Sequence, residues 1–288
     1  MSKQGFTHIP LGPWPRGMVR PQRQSDVAQD ALWDAVNVDV RPEGSVATRW
    51  GWDKVLDANA HSLYEAVDGT VYGVVNGSVV VFDANGVSDI QAVSGLVSWT
   101  SVAGLPHFAT ADGVFAVHNT SAEQLVATRD DFDDVRELVN MPGGEWLVYW
   151  NGRLVVARGG SLLFSEPLRY GAHDPLTGYL SLGQPVEWMA ALETGIYVGH
   201  KNQVIWLEGR QPTDLSLKVV AGRSAPGMAT VIPYDPAPVV VFFTHKGFTL
   251  GDAAGSVHYP QAANFSDIPL YPGKLVYHDS RLFALRAD

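Results

Sequence analysis

The chain has 288 residues, of which 46% are hydrophobic, 17% charged and 10% aromatic, with 29 Gly, 18 Pro, 9 Trp and no Cys. That length allows one large domain or two ordinary ones and can bury enough apolar surface to need no covalent or metal staple. The lack of Cys excludes disulfide scaffolds, thiolate zinc sites, iron–sulfur clusters and cysteine nucleophiles, and a formal charge of −10 argues against a surface that grips phosphates, though not against a passive channel for DNA.

The start, Met1-Ser-Lys-Gln-Gly-Phe-Thr-His, has no apolar core of signal-peptide length behind a basic cluster. No apolar run approaches the ~20 residues of a membrane helix; the longest, Pro238–Thr244, is strand-length. The expectation is a soluble protein made in a cytoplasm, with the sequons at Asn76, Asn119 and Asn264 acting as turns.

Residues 1–33 read as an extended arm. Leu11-Gly-Pro-Trp-Pro-Arg-Gly-Met18 has a Pro and Gly spacing that forbids a helix. Ser25–Trp33 has room for one short helical turn, capped by Ser25 or Asp26. An apolar anchor flanked by Pro on a ready-extended arm suits docking, so Pro13, Trp14, Pro15, Arg16 and Met18 are the candidate assembly contacts. The equal alternative is a strap folded back onto the chain's own domain.

The period then changes to two. Ala35-Val-Asn-Val-Asp-Val40 alternates, turns at Arg41-Pro-Glu-Gly44 and returns as Ser45–Trp50, a hairpin. Beyond residue 60 a turn dipeptide repeatedly precedes a short run of β-branched or aromatic residues. These dipeptides are Asp68-Gly69, Asn76-Gly77, Asp112-Gly113, Asn151-Gly152, Thr194-Gly195, Lys201-Asn202, Lys246-Gly247 and Asp279-Ser280. No dozen-residue segment has convincing helical periodicity, so the chain is all-β.

One turn per unit recurs about every 42 residues, the length of a four-stranded propeller blade. Residues 34–288 are therefore expected to form a single β-propeller of six blades, with seven as the near alternative. Its ring would be closed by a blade built from the 35–50 hairpin and the last two strands, Leu275–His278 and Arg281–Leu285. The competing architecture is two unrelated β-domains split near Pro142-Gly-Gly144.

Signs of chemistry are weak. Nucleophile elbow, zincin, P-loop and dinucleotide motifs are missing, and the nine His show no metal-ligand spacing, so neither enzyme activity, cofactor nor metal is expected. His173-Asp174-Pro175 reads as loop structure. Asp130, Asp131, Asp133 and Asp134 lack the Gly and terminal Glu of a calcium loop and read as a solvated turn. Glu166, Glu187, Glu193 and Glu208 lie in or beside strands and are the carboxylates that a glycoside hydrolase would have to pair. Trp99, Trp146, Trp150, Trp188 and Trp206 are expected to fill the wedges between blades.

The opening phrases Gly12–Met18, Ala31-Leu-Trp-Asp-Ala-Val-Asn-Val-Asp-Val40 and Gly44–Gly51 resemble the start of a family of tailed-bacteriophage structural proteins. Tyr149–Ala157, Leu163–Pro167, Gly195–His200, Val204–Gly209 and Ala225–Met228 are similar to blade phrases of phage tail nozzle and packaged-DNA stabilisation propellers. The resemblance implies a non-enzymatic virion protein of the tail: a nozzle, hub or head–tail connecting component. It would be assembled in the host cytoplasm as a homo-oligomer, with other tail proteins as partners and genomic DNA as passing cargo. The alternatives are a carbohydrate-binding propeller for the host surface and, further off, a glycoside hydrolase propeller.

Overall fold

The computed structural model describes residues 38–40, 46–48, 56–83, 86–118, 120–128, 136–262, 268–278 and 281–286. The expected arm, its candidate contacts Pro13, Trp14, Pro15, Arg16 and Met18, the helical turn at 25–33 and the acidic turn at 130–134 lie outside them.

The first hairpin pairs β1 (Val38–Val40) with β2 (Val46–Thr48). Each turn dipeptide that falls within the described residues then separates two consecutive antiparallel strands. At Asn76-Gly77 and Asn151-Gly152 both residues have positive φ, which a two-residue turn between twisted strands requires.

Blade one is β3 (Ala60–Glu65), β4 (Val71–Val75), β5 (Ser78–Asp83) and β6 (Gly86–Ala92), paired in chain order. Blade two repeats this with β7 (Ser98–Val102), β8 (Leu105–Thr110), β9 (Gly113–His118) and β10 (Ser121–Gln124). In blade three, β11 (Val139–Asn140) leads into β12 (Trp146–Trp150), β13 (Arg153–Arg158) and β14 (Ser161–Glu166). The outer edge of β14 is shared by β15 (Arg169–His173), which carries β11, and β16 (Tyr179–Ser181). Blade four is β17 (Val186–Leu192), β18 (Gly195–His200), β19 (Gln203–Glu208) and β20 (Ser216–Gly222). Blade five is β21 (Ser224–Ile232), β22 (Val239–Thr244), β23 (Gly247–Gly251) and β24 (Val257–His258). A last hairpin joins β25 (Gly273–His278) to β26 (Arg281–Arg286).

The first strand of each blade packs on the first strand of the next, from β3 through β7, β12, β17 and β21 to β25. Leu147 N donates to Ser98 Oγ at 2.9 Å and Tyr149 N to Thr100 Oγ1 at 3.1 Å, so β12 and β7 run in parallel register. First strands gathered side by side, with meanders radiating outward, define a β-propeller. Middle strands are covered on both faces, which is why Val79–Val81, Leu154–Ala157, Val204–Leu207 and Val240–Phe242 are unbroken apolar runs. Apolar seams separate successive blades: Tyr72, Val74 and Phe108 between one and two, and Val114, Leu147 and Leu154 between two and three. Trp150, Phe164, Ile196 and Ile205 lie between three and four, and Trp188, Tyr197 and Phe242 between four and five. At about 1.5–3 kcal/mol per buried large side chain, these seams dominate the stability.

The expected count of six blades, and the alternative of seven, are corrected to five. Asp279-Ser280 lies outside the described residues; β25 and β26 on either side of it do pair, but they have no further strand beside them among the described residues. Nor do the two terminal hairpins merge into a shared blade: β1–β2 and β25–β26 are separate two-stranded sheets. A turn dipeptide reports the two strands that flank it, not whether two more lie outside them. The hairpin still continues the ring, because Leu275 is buried against Ala225, Met228, Val239 and Val241 of blade five.

Candidate functional site

Because the first strands run parallel, their N-terminal ends gather at one mouth of the ring. Three of them are irregular there. The register shifts between His61 and Tyr64 in β3, between Val186 and Trp188 in β17, and between Ser224 and Ala229 in β21. Bulges at a rim turn side chains out of the alternation and make room for close approach.

Three indoles tie this mouth together. Trp99 Nε1 donates to the Ser62 carbonyl at 2.7 Å, across the seam between blades two and one. Trp146 Nε1 donates to the Val186 carbonyl at 3.1 Å, from blade three to blade four. Trp188 Nε1 donates to Ser224 Oγ at 2.8 Å, from blade four to blade five. The Trp146 ring reaches furthest, packing against the seams on both sides of blade four. A Cβ at Gly227 would lie 3.7 Å from Trp146 Cη2 and 2.4 Å from the Gly273 carbonyl, so Gly227 lets β25 and the indole approach together.

Glu187 is the extra residue of the β17 bulge. Val186 and Met189 point into the seam with blade three, and Trp188 and Ala190 into the seam with blade five. The bulge removes Glu187 from both sets. Its side chain is half-buried, and Oε2 has neither solvent access nor a hydrogen-bond partner. Trp150 Nε1 and Trp206 Nε1 are also buried without partners among the described residues, but they are neutral groups in aromatic packing. A carboxylate oxygen left dry costs more.

The other carboxylates singled out in the sequence are dispersed. Glu166 accepts from Arg136 Nη1 at 3.2 Å, on the blade-three edge. Beside it, burial pulls the Arg153 guanidinium below its usual range while the Glu166 charge works against that shift. Glu193 pairs with Arg210 at 3.5 Å. Glu193 and Glu208 lie at the far end of blade four from Glu187; six residues of strand at about 3.3 Å each separate Glu187 from Glu193. A hydrolytic pair needs carboxyls within about 5–9.5 Å. Asp174 caps its own turn, accepting from Leu176 N, Thr177 N and Thr177 Oγ1. The hydroxyl bond and those amides hold its pKa below the usual carboxylate range. No group of three His, Asp or Glu that could hold a metal comes together among the described residues. Nor is any helix there long and apolar enough to cross a membrane.

The Trp residues fall where expected: Trp150, Trp188 and Trp206 are fully buried between blades, and Trp99 and Trp146 are half-buried. The bulges were not visible in the sequence, apart from Pro226-Gly227 interrupting an apolar run, and nothing set Glu187 apart from the other three glutamates.

No family profile matches the chain, and no curated protein matches its sequence. Solved structures do match in fold. BBS1N in complex with ARL6DN is 11% identical with a TM-score of 0.57, over 84% of this chain and 80% of that one. Streptogramin B lyase is 10% identical with a TM-score of 0.48, over 81% and 84%. The extracellular domain of a protein assigned as a hybrid two-component system from B. thetaiotaomicron is 7% identical with a TM-score of 0.46 over 80% of this chain. The chain spans only 37% of that domain's length. At such identities the likeness concerns the fold, and the fold it concerns is the β-propeller.

Proposed function

We propose that the protein is a non-enzymatic structural component of a bacteriophage tail, a nozzle, hub or head–tail connector, working as an oligomer around or near the DNA path. The reading rests on the phage-like phrases, and one observation carries it further: where those phrases fall. Tyr149–Ala157, Gly195–His200 and Val204–Gly209 supply strands β12–β13, β18 and β19, whose side chains build the seams between blades three, four and five. The resemblance thus concerns the residues that make the blades cohere. A body of that kind suits a part that must keep its shape under load, and a charge of −10 suits a wall that must not retain DNA.

The arm with Pro13, Trp14, Pro15, Arg16 and Met18 is assigned to contacts with neighbouring tail proteins. Immunogold electron microscopy of purified particles tests the reading, with mass spectrometry of the same preparation. Label confined to the tail at a fixed copy number is expected; absence of the chain from intact virions would sink it.

A further inference from the structure

We propose that the outer edge of β26 is a docking site for a strand donated by a partner protein. That strand is an extended segment that begins with a polar residue, continues with three or more apolar ones and ends in Asp or Glu. The last hairpin repeats, in sequence, the first two strands of blade three. Leu147-Val-Tyr-Trp-Asn-Gly-Arg-Leu-Val-Val-Ala-Arg158 and Leu275-Val-Tyr-His-Asp-Ser-Arg-Leu-Phe-Ala-Leu-Arg286 are identical at six of twelve positions without a gap. The two hairpins also sit alike. Leu147 and Leu154 enter the seam with blade two, Leu275 and Leu282 the seam with blade five, and Leu147 and Leu275 are each 2% exposed. β25 and β26 are thus built as the inner half of a blade.

The likeness stops at the outer edge. β13 is flanked by β12 and β14, and its Val156 and Ala157 are fully buried. Their counterparts in β26, Ala284 and Leu285, are exposed, and β26 pairs only with β25 among the described residues. An apolar edge strand with unpaired backbone donors and acceptors is a template for strand addition. Leu154 N points at β14, donating to Ser165 Oγ at 2.9 Å. Amides alternate along a strand, so the outward ones of β26 are those of Leu282, Ala284 and Arg286.

The third strands of the intact blades describe what such an edge accepts. Ser78-Val-Val-Val-Phe-Asp83, Ser161-Leu-Leu-Phe-Ser-Glu166 and Gln203-Val-Ile-Trp-Leu-Glu208 share one form. The register sets their closing acid opposite, or next to, the first residue of the second strand. In blade three that residue is Arg153, whose charge Glu166 favours; in β26 it is Arg281. Charge therefore selects the occupant. An acidic end meets Arg281, whereas a second copy of β26 laid antiparallel on the first would set Arg281 opposite Arg286, like charge on like. The site rests on the blade pattern and not on the tail reading.

The test is amide hydrogen exchange, by NMR, on the full chain at low concentration, alone and with a capped peptide of residues 160–167 (Gly-Ser-Leu-Leu-Phe-Ser-Glu-Pro). A scrambled peptide is the control. In the free chain the Leu282 and Ala284 amides should exchange freely. Saturation with the peptide should slow them about tenfold or more, while Phe283 and Leu285, which bond inward to β25, change little. Arg281→Glu should weaken binding about fivefold to tenfold, and a peptide carrying Glu166→Arg should recover it. Ala284→Pro removes an outward donor but none of the ladder to β25, so it should abolish binding in a protein that thermal melting shows to be folded. Slow exchange at Leu282 and Ala284 in the dilute free chain would mean that the chain covers its own edge. Slowing that follows protein concentration would mean that a second copy does. Either result overturns the proposal, as does no saturation by the peptide, equal binding of the scrambled one, or unchanged affinity in both variants.

Discussion

The smallest unit of cohesion is a Trp fitted to a residue without a side chain. The Trp188 indole lies where a Cβ on Gly199 would stand, 2.1 Å from Nε1, and its N–H meets a fully buried Ser224 hydroxyl. Gly199→Ala should therefore cost about 1–3 kcal/mol by overpacking. Trp188→Phe should cost a similar amount by leaving Ser224 Oγ without its donor. The smaller ring vacates the space the new methyl needs, so the double variant should lose clearly less than the sum of the two. Urea unfolding of all four proteins measures this, and strict additivity would show that the two residues do not press on each other.

His107 offers a second residue-level test. It is buried, with Nδ1 2.9 Å from the Leu105 carbonyl and its ring edge-on to Tyr170, and burial lowers its pKa. The folded state thus prefers the neutral ring, while the unfolded chain takes up a proton near pH ~6.5. His107 costs no stability above that pH and costs progressively more as pH falls towards the folded-state pKa. Melting temperatures between about pH 7 and pH 5 should fall less steeply in His107→Gln than in the parent. Identical slopes would refute the assignment. That large rings would lie between blades was legible in the sequence. That Glu187 would be separated from the other glutamates was not, because a bulge changes which way a residue faces without changing its neighbours in sequence.

At the level of elements, hairpins were read more easily than blades. Asn-Gly and Asp-Gly turns are local, and those within the described residues fall between paired strands. Blade membership depends on which turn within a blade is counted. Gly69, Gly152 and Gly195 follow a first strand, whereas Gly113 and Gly247 follow a second, so the apparent period wanders, and the final hairpin counts towards a sixth blade only if the 35–50 hairpin joins it, which it does not. The shared outer edge of β14 and the bulges of β3, β17 and β21 come from tertiary packing and left little sequence signal. One turn also joins blades. Asn151 has φ 46° and its Nδ2 donates to the Glu193 carbonyl of blade four at 2.8 Å. Asn151→Ala loses both the residue type that tolerates that backbone and the bond, and should cost about 1–3 kcal/mol by chemical denaturation. Asn151→Gly keeps the backbone freedom and should recover part of the loss. If both variants match the parent, the turn does not couple the blades.

For the whole molecule, charge is the property most directly open to test. A chain of net charge −10 with a pI near 5.3 should leave duplex DNA unshifted in a gel assay at neutral pH and low salt, where electrostatic binding is strongest. Retardation that disappears as salt is raised would reveal a basic groove and contradict the idea of a wall that DNA slides past.

The order of the seams along the chain has a consequence during synthesis. Each blade closes its own hydrogen-bond ladder within consecutive residues, so it can fold as it leaves the ribosome and use its predecessor as a template. Every blade's outer seam stays bare until its successor is made; that of blade five, formed by Ala225, Met228, Val239 and Val241, waits until translation has passed Leu275. A nascent chain stalled between those points presents a finished stack with one greasy flank. That intermediate is the form for which chaperones, proteases and other copies of itself would compete.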